Sequence, residues 1–559
     1  MKTLLYLTVV VSMIAVAFIG ALPAAAAEHN PDSIVRWTED WPTYIDPAVG
    51  TDFSDTQALV NLYDSLVFPK LDGSVEPALA ESWDVSDDGL TYTFHLRPDV
   101  KFHNGDVLTA EDVVFSAERL FTIGEGFSYV LRTVDADGNV IAGVKSVEAV
   151  DDNTVKFTLA RPFGPFVPAL ARLYIADKSQ VMDNIDKSES MYGDMGDYGK
   201  KWLLTHDAGT GGYTVTEMKM EESMTAEKFD DYWRGWEEGA PDFLKEFAFP
   251  GEVAVRTMMK NGELDISSET LPQEGYDTLR EMPGINTVAY LSPQNLQIML
   301  NTKVAPTDDI HVRKALSYIM NYESVVTDIW PAYVQSVGPV PQTLPGHNPN
   351  AMQYTYNLEK AQEEMAQSAY AGQTDIPFTL SWCAEVPDEE KVALLFQANA
   401  AEIGINVEIF KKPFGSMIDD AQTVETTPNG SVVYVGAHYN EAGSILETRY
   451  HSKSQGTWEQ CEWLGSDEMD KAIEDALATV DQDERFAKYA KIQEDLVELA
   501  PTIWLADQAQ EFAYAEDVLE WPLAIRIAAG EPTSAVMGYT HYMHDVKVHP
   551  EKRAELGAE

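Results

Sequence analysis

The stretch from Glu76 to Leu120 constrains the fold more than any other part of this chain, because strand, turn and helix signals follow one another in it. From Leu90 to Arg97, apolar side chains alternate with polar ones, and this period of two predicts a strand with one buried face. Asn104-Gly105 is a tight-turn signal. Thr109 is a candidate helix N-cap, with Asp112 as its partner in a capping box. The segment predicts a compact α+β module and contains no catalytic pattern.

The remaining sequence alternates helix and strand patterns. Two strands are predicted on either side of Asp151-Asp152-Asn153. A helix over Glu252–Met259 is followed by a glycine and a short strand at Leu264–Ile266. A helix over Asp388–Ile403 precedes a strand that starts at Ile405, and Ser431–Gly436 reads as another apolar strand. This succession is typical of an α/β protein.

Several runs of this sequence resemble one known family. The module contains PALAESW, LTYTFHLR and VKFHNGDVLTAEDV. Further along lie GTGGY from Gly209, DDYW from Asp230, and an N-T-x-x-x-P pattern from Asn301 that is followed by VRKALSY. In this order they resemble the extracytoplasmic solute-binding proteins of family 5, which are the peptide, dipeptide and nickel receptors of ABC importers. The resemblance covers nearly the whole chain after residue 27.

The resemblance implies an α/β, two-lobed periplasmic-binding-protein fold of the class II type, with a hinge of two crossing segments and an extra small α+β domain on lobe one. A chain of 559 residues is indeed too long for a single hydrophobic core. We expect a signal peptide over residues 1–27, lobe one over 28–64, 177–290 and 508–559, the extra domain over 65–176, and lobe two over 291–507.

The N-terminus predicts export. Lys2 is followed by an apolar run from Leu4 to Ile19, and Ala25-Ala26-Ala27 provides small residues for cleavage near Ala27. A membrane anchor is the alternative interpretation, because the run approaches the length of a short spanning helix. The alanine-rich end favours a cleaved signal peptide, and we therefore expect a periplasmic protein.

The charge excludes some classes of partner. The chain has 91 acidic and 39 basic residues and a formal net charge of −52. Such a surface repels nucleic acid and anionic membranes. Two interpretations stay open, namely a preference for cationic ligands and a solvated acidic surface that serves solubility.

No constellation of catalytic or metal-binding residues is visible. Gly-x-Ser-x-Gly, His-Glu-x-x-His and phosphate-loop patterns are absent from the sequence, and its 11 histidines are scattered singly. Cys383 and Cys461 have the spacing of neither a zinc site nor a redox pair, so a disulfide and two separate buried thiols both stay open. We predict no enzyme activity, no catalytic residue, no metal and no cofactor.

The resemblance places the ligand at the end of the strand Ser431–Gly436. In peptide-binding relatives, backbone groups here, at Tyr434 and Gly436, bind an extended ligand in the manner of strand addition. A carboxylate directly after the strand holds the ligand's α-ammonium in those relatives, but this chain has His438 at that position. Either Glu441 supplies the negative charge, or the ligand lacks an α-ammonium and is a sugar, opine, modified peptide or metal chelate. The third interpretation is that His438 caps the strand and contacts no ligand.

The same resemblance suggests four further residues that line the cleft. They are Phe53, Phe127, Asn295 and Phe414. Aromatic residues at such positions give apolar walls that tolerate ligands of different shapes. A role in the hydrophobic core is the alternative for each of the aromatic residues.

The sequence therefore predicts a periplasmic substrate-binding protein of an ABC importer. It would be a monomer that closes two lobes around a solute, with a peptide as the leading ligand, and would deliver it to the permease in the inner membrane. A non-peptide solute is the alternative ligand. A chaperone-like interaction protein and a periplasmic hydrolase are the alternatives from other classes.

Overall fold

A computed structural model describes residues 29–555, apart from 72–73, 136–137, 532 and 534–535. The predicted signal peptide and its cleavage site lie outside the described residues. Within the described part, none of the helices combines the length and the apolar character that crossing a bilayer requires.

The strands form three main sheets. The first sheet has the order Ile34–Glu39, Phe243–Ala248, Ser223–Lys228, Tyr213–Lys219. The second has the order Val334–Gln335, Thr502–Ala515, Ile285–Leu300, Gly430–Gly436, Ile376–Cys383, Ile405–Lys412. The third has the order Ala80–Val85, Thr91–Leu96, Thr154–Leu159, Val140–Asp151, Arg132–Val134. Two small hairpin-like pairs are Val67–Pro69 with Val75–Pro77, and Leu519–Glu520 with Lys547–Val548.

Helices cover these sheets. The α-helices are Phe53–Leu62, Ala110–Ile123, Ser128–Leu131, Phe166–Ala169, Lys178–Asp183, Glu252–Lys260, Gln273–Arg280, Ile310–Ile319, Tyr322–Ser324, Leu358–Gln367, Glu389–Ala401, Phe414–Asp420, Ala442–Tyr450, Asp467–Ala478, Gln482–Leu499 and Pro522–Ala528.

The module predicted around residues 76–120 has the expected elements. The alternating segment forms the strand Thr91–Leu96, with Tyr92 and Phe94 buried. Thr109 caps the helix Ala110–Ile123, and its backbone N–H donates to the Asp112 carboxylate at 2.9 Å, as the capping box predicts.

Two large hydrophobic cores give the molecule two lobes. One core contains Val35 and Leu244 of the first sheet together with Phe94 and Phe157 of the third. The other core lies under the second sheet and is centred on residues such as Leu380. The third sheet therefore packs on the same lobe as the first sheet.

Two long strands join the lobes. Ile285–Leu300 and Thr502–Ala515 pair antiparallel along their length, with a break in register between Leu291 and Asn295. The short strand predicted at Leu264–Ile266 is reduced to isolated bridges at Ile266. At the preceding residue, the Asp265 carboxylate accepts the backbone N–H of Arg36, so a side chain takes the place of part of the expected ladder.

The C-terminal end returns to the start of the first lobe. The Arg553 guanidinium donates to the buried Asp265 carboxylate at 3.0 and 2.9 Å, and to the carbonyl oxygen of Asp32 at 2.7 Å. The last described turn is therefore part of the framework of this lobe.

The two cysteines are separate. Both thiols are free and buried, and they form no disulfide. Burial raises the pKa of Cys383 to about 11 and that of Cys461 to about 12. Of the two alternatives that the sequence left open, the structure has the pair of buried thiols.

Candidate ligand-binding site

The candidate site lies at the carboxyl end of the strand Gly430–Gly436. It runs parallel to Ile376–Cys383, so the carboxyl ends of both strands lie at one edge of the second sheet. Ligands of open α/β sheets bind outside this edge. A side chain on Gly436 would place its Cβ 2.9 Å from Cγ of Gln294 on the neighbouring strand, so glycine keeps the strand end close to its partner.

His438 lies just beyond this strand and links two parts of the molecule. Its Nδ1 is 3.0 Å from the hydroxyl oxygen of Tyr129, and its Nε2 is 2.8 Å from a carboxylate oxygen of Glu459. A carboxylate only accepts, so Nε2 donates to Glu459, and Nδ1 shares a second hydrogen bond with the Tyr129 hydroxyl. The ring thus connects the third sheet's domain with the second lobe.

Arg172 contacts the backbone of His438. The guanidinium is almost fully buried, and its Nε donates to the carbonyl oxygen of His438 at 3.4 Å. Its Cζ lies 4.4 Å from the ring centre of Phe127, which is itself buried. Phe127 is therefore next to the site through Arg172 and forms part of the core there.

Glu441 has a different environment from the one expected for a ligand contact. Arg485 donates two hydrogen bonds to its carboxylate, both at 2.8 Å, and the Tyr489 hydroxyl donates a third at 2.9 Å. Only 1% of the residue is exposed. The carboxylate beside His438 is that of Glu459, whereas a ligand contact by Glu441 stays a prediction.

Tyr434 belongs to an aromatic group on the second lobe. Its hydroxyl lies 3.1 Å from that of Tyr333, and the Tyr333 ring stacks on Trp330 at 5.2 Å. All three residues are half-buried. The group forms an apolar wall with hydroxyl groups at one end.

The other predicted residues lie in three different places. Phe414 contacts Trp458 at a ring distance of 5.2 Å, which places it beside the turn that carries Glu459. Phe53 starts a helix of the first lobe and lies 6.4 Å from the His541 ring. Asn295 is buried in the sheet opposite Val435, and its Nδ2 donates to the carbonyl oxygen of Pro339 at 3.3 Å.

Sequence reasoning missed Tyr129, Arg172, Glu459, Trp330 and Tyr333. None of them lies in a local pattern that indicates a ligand, and Tyr129 is 309 positions from His438. The fold brings Tyr129, Arg172 and Glu459 to His438. It brings Trp330 and Tyr333 to Tyr434. Among the described residues, no group of three or more His, Cys, Asp or Glu side chains is placed to hold a metal ion.

Comparison with known proteins identifies this architecture. The model of the bacterial extracellular solute-binding proteins, family 5 Middle, matches residues 74–457. The probable D,D-dipeptide-binding periplasmic protein DdpA of Escherichia coli (strain K12) is 27% identical over 522 residues, which cover 91% of this chain and 94% of that protein. The heme-binding protein A of Haemophilus influenzae is 27% identical over 508 residues, covering 86% of this chain and 88% of that protein.

Among solved structures, the periplasmic binding protein DppA of Helicobacter pylori in complex with the peptide STSA has a TM-score of 0.70 and 25% identity. The match covers 92% of this chain and 98% of that one. The resemblance and the two-lobed α/β fold predicted from the sequence are confirmed.

Proposed function

Because the chain belongs to the bacterial extracellular solute-binding proteins of family 5, we propose that it captures a peptide between its lobes and delivers it to the permease of an ABC importer. Members of this family are transport receptors and not enzymes. The protein is accordingly the substrate-binding component of such an importer, and export to the periplasm follows from the same role.

The support for a peptide comes from the strand end and from the relatives. The backbone at Tyr434 and Gly436 lies at the carboxyl edge of the sheet, where an extended ligand can add its own backbone hydrogen bonds. DdpA is named for D,D-dipeptides, and the H. pylori protein is in complex with STSA.

We place the ligand's ammonium at the carboxylate of Glu459, beside His438. The observation that carries this assignment is a contact of His438, which follows the strand. Its Nε2 lies 2.8 Å from the Glu459 carboxylate. Glu459 supplies a negative charge that His438 lacks, and Tyr129 adds a hydroxyl from the opposite side. The Trp330, Tyr333 and Tyr434 rings would contact the ligand's side chains.

A non-peptide solute is the second candidate. One specific observation favours it: the position after the strand is a histidine, and the neighbouring Glu441 is enclosed by Arg485. Heme-binding protein A, a relative of similar identity, is named for a ligand that is not a peptide.

Mass spectrometry of the ligand that co-purifies with the protein tests the proposal, followed by calorimetry with that compound. We expect a short peptide, with an affinity that falls about tenfold or more in Glu459→Gln, since a hydrogen bond to a charged group contributes about 1.5–3 kcal/mol. A bound sugar, opine or metal chelate would support the second candidate. Failure of every solute to bind would contradict the receptor role itself.

Further features complete the proposal. Residues 1–27 would act as a cleaved signal peptide. The division into lobe one (28–64, 177–290 and 508–559), extra domain (65–176) and lobe two (291–507) would describe the moving parts. The protein would act as a monomer, and its net charge of −52 argues against nucleic acid as a partner.

A further inference from the structure

Two carboxylates of the first lobe lie together without a positive partner. The Glu39 carboxylate is 3% exposed, and it accepts hydrogen bonds from the Ser268 hydroxyl at 2.8 Å and from the backbone N–H of Glu269 at 3.3 Å. The Glu269 side chain is half-buried, and its Oε2 is enclosed and accepts no hydrogen bond. Among the described residues, no lysine, arginine or histidine forms an ion pair with either carboxylate.

The interior behind this pair is acidic as well. Glu246 lies opposite Trp37 of the neighbouring strand, and Glu39 follows Trp37 by two positions, on the same face of the sheet. Glu246 is fully buried, and neither of its carboxylate oxygens has a hydrogen-bond partner. Burial and the nearby charge of Glu39 raise the pKa of Glu246 well above its ordinary value. The described protein groups around these carboxylates therefore leave their negative charge uncompensated.

Glu269 faces the aromatic group of the second lobe. Burial raises the pKa of Tyr333 to about 12, and the charge of Glu269 adds to this rise. Tyr333 lies beside Gln508, and Glu269 lies beside Gln510. These glutamines are alternate residues of one of the two strands that join the lobes, so their side chains lie on one face, about 7 Å apart. The carboxylate and the aromatic rings are therefore neighbours across the floor of the cleft.

The ring group, which consists of Trp330, Tyr333 and Tyr434, is suited to an organic cation. Trp330 and Tyr333 are stacked within 9° of parallel, and the Tyr434 ring stands at 76° and 75° to them. Ring faces attract ammonium and guanidinium groups. None of the cation–π contacts in the described part of the chain uses these three rings. The protein therefore leaves their faces to a cation from outside.

We propose that the captured peptide carries a basic side chain, whose cationic group binds between the carboxylates of Glu39 and Glu269 and the ring group. This inference rests on the peptide-receptor function proposed above and names the class of peptide. An arginine side chain fits best, because a planar guanidinium can donate two parallel hydrogen bonds to one carboxylate and stack on an aromatic ring. The positive charge that the first lobe lacks would thus arrive with the ligand.

The position of this subsite along the peptide follows from the strand. Tyr434 precedes His438 by four positions, which correspond to at most about 13 Å of extended chain. Glu459, the proposed partner of the ligand's ammonium, lies beside His438. A peptide that extends from there along the strand would bring its second or third side chain to the ring group.

Calorimetry of the full mature chain tests the proposal with Ala-Arg-Ala, Ala-Ala-Arg and the same two peptides with citrulline in place of arginine. Citrulline has nearly the shape of arginine but no charge. We expect at least one arginine peptide to bind about tenfold or more tightly than its citrulline counterpart, since a hydrogen bond to a charged group is stronger than one between neutral groups.

Glu269→Gln should remove this preference and leave the affinity for the citrulline peptide unchanged. Its melting temperature should not fall, because the amide carries no charge. Glu274→Gln, an exposed residue five positions further along, is the matched control and should keep the preference. Glu459→Gln should weaken binding of the arginine and citrulline peptides equally, because it acts on the ammonium.

The outcomes separate this inference from the function on which it rests. Equal affinities for the arginine and citrulline peptides would overturn the basic subsite and leave the peptide receptor in place. A preference for arginine that persists in Glu269→Gln would also overturn the subsite. Failure of all four peptides to bind would overturn both proposals.

Discussion

Arg485 holds Glu441 through two parallel hydrogen bonds of 2.8 Å, and both side chains are buried. The same guanidinium donates through Nη1 to the carbonyl oxygens of Thr479 and Val480, at 2.9 and 2.8 Å. Arg485 thereby fixes the start of the helix Ala442–Tyr450 to the link between the helices Asp467–Ala478 and Gln482–Leu499. The carboxylate that follows the ligand strand thus organises the second lobe.

Glu441→Gln should therefore destabilise the protein. It leaves the Arg485 charge buried without its counter-charge, and breaking such a pair costs about 3–5 kcal/mol. Thermal denaturation measures the loss. Glu484→Gln is the matched control, because that residue forms an exposed helical pair with Lys488 and should change stability by less than about 0.5 kcal/mol. An unchanged melting temperature in Glu441→Gln would contradict this role.

Gly164→Ala should weaken the contact between the third sheet's domain and the second lobe. The Gly164 N–H donates to the carbonyl oxygen of Leu477 at 2.7 Å, and a Cβ there would overlap the Thr479 carbonyl oxygen and lie 2.6 Å from Nη1 of Arg485. We expect a larger radius of gyration in small-angle scattering. Gly415→Ala is the control, since nothing lies within 4 Å of its Cβ position. Identical scattering from both variants would show that the domains do not separate here.

Tyr129→Phe should reduce ligand affinity about fivefold, because it removes one hydrogen bond to His438, a contribution of about 1 kcal/mol. If the two residues act together, the double variant with His438→Ala should lose less than the sum of the single losses. Calorimetry with the co-purified ligand measures the cycle. Tyr356→Phe removes an exposed hydroxyl bonded to Glu402 and serves as the control. Fully additive losses would mean that the two residues act independently.

The protein should be less stable at pH 8 than at pH 5. Burial raises the pKa of Glu389 to about 8, that of Glu39 to about 7 and that of Asp507 to about 6. The unfolded chain loses these protons near pH 4, whereas each folded group retains its proton until the pH reaches its own raised pKa, so the free energy of unfolding falls as pH rises from about 4 to 8.

Glu389→Gln isolates one of these groups. Its amide stays neutral, so by linkage the variant should gain about 4–5 kcal/mol over the wild type at pH 8.5 and almost nothing at pH 4. Melting temperatures across this range test the expectation. Glu390→Gln, on the same helix but exposed, is the control. A parallel pH dependence of Glu389→Gln and the wild type would refute the assignment.

The two thiols should resist modification in the folded protein. Cys383 and Cys461 are buried, and their raised pKa values leave almost no thiolate at pH 8. Under native conditions a thiol-reactive dye should label neither thiol rapidly. In guanidinium chloride it should label both. Fast labelling of the native protein, or a failure to label two thiols after denaturation, would contradict this.

Local elements could be predicted from the sequence because their signals lie within a few residues. The Thr109 capping box and the strand Thr91–Leu96 depend on neighbours in the chain, and the structure has both. The position of His438 after its strand was equally readable. The predicted strand at Leu264–Ile266 is only a pair of isolated bridges in the structure. The sequence does not reveal this difference, because Asp265 bonds to residues far away in sequence.

The composition of the candidate site could not be predicted in the same way. Tyr129 is 309 positions from His438 in the sequence, and Glu459 is 21 positions from it. Neither separation corresponds to the period of a helix or a strand. Glu441 is near His438 in sequence, whereas Glu459 is near it in space. Packing decides which of the many carboxylates lies next to His438, and a local sequence pattern does not predict that packing.

The contact of Arg553 with Asp265 and Asp32 has a consequence for biogenesis. Arg553, in the last described turn, donates to the buried carboxylate of Asp265 near the middle of the chain. It also donates to the carbonyl oxygen of Asp32 near the beginning. Until the last described turn has been synthesised, the first lobe lacks the guanidinium that bonds to this buried carboxylate.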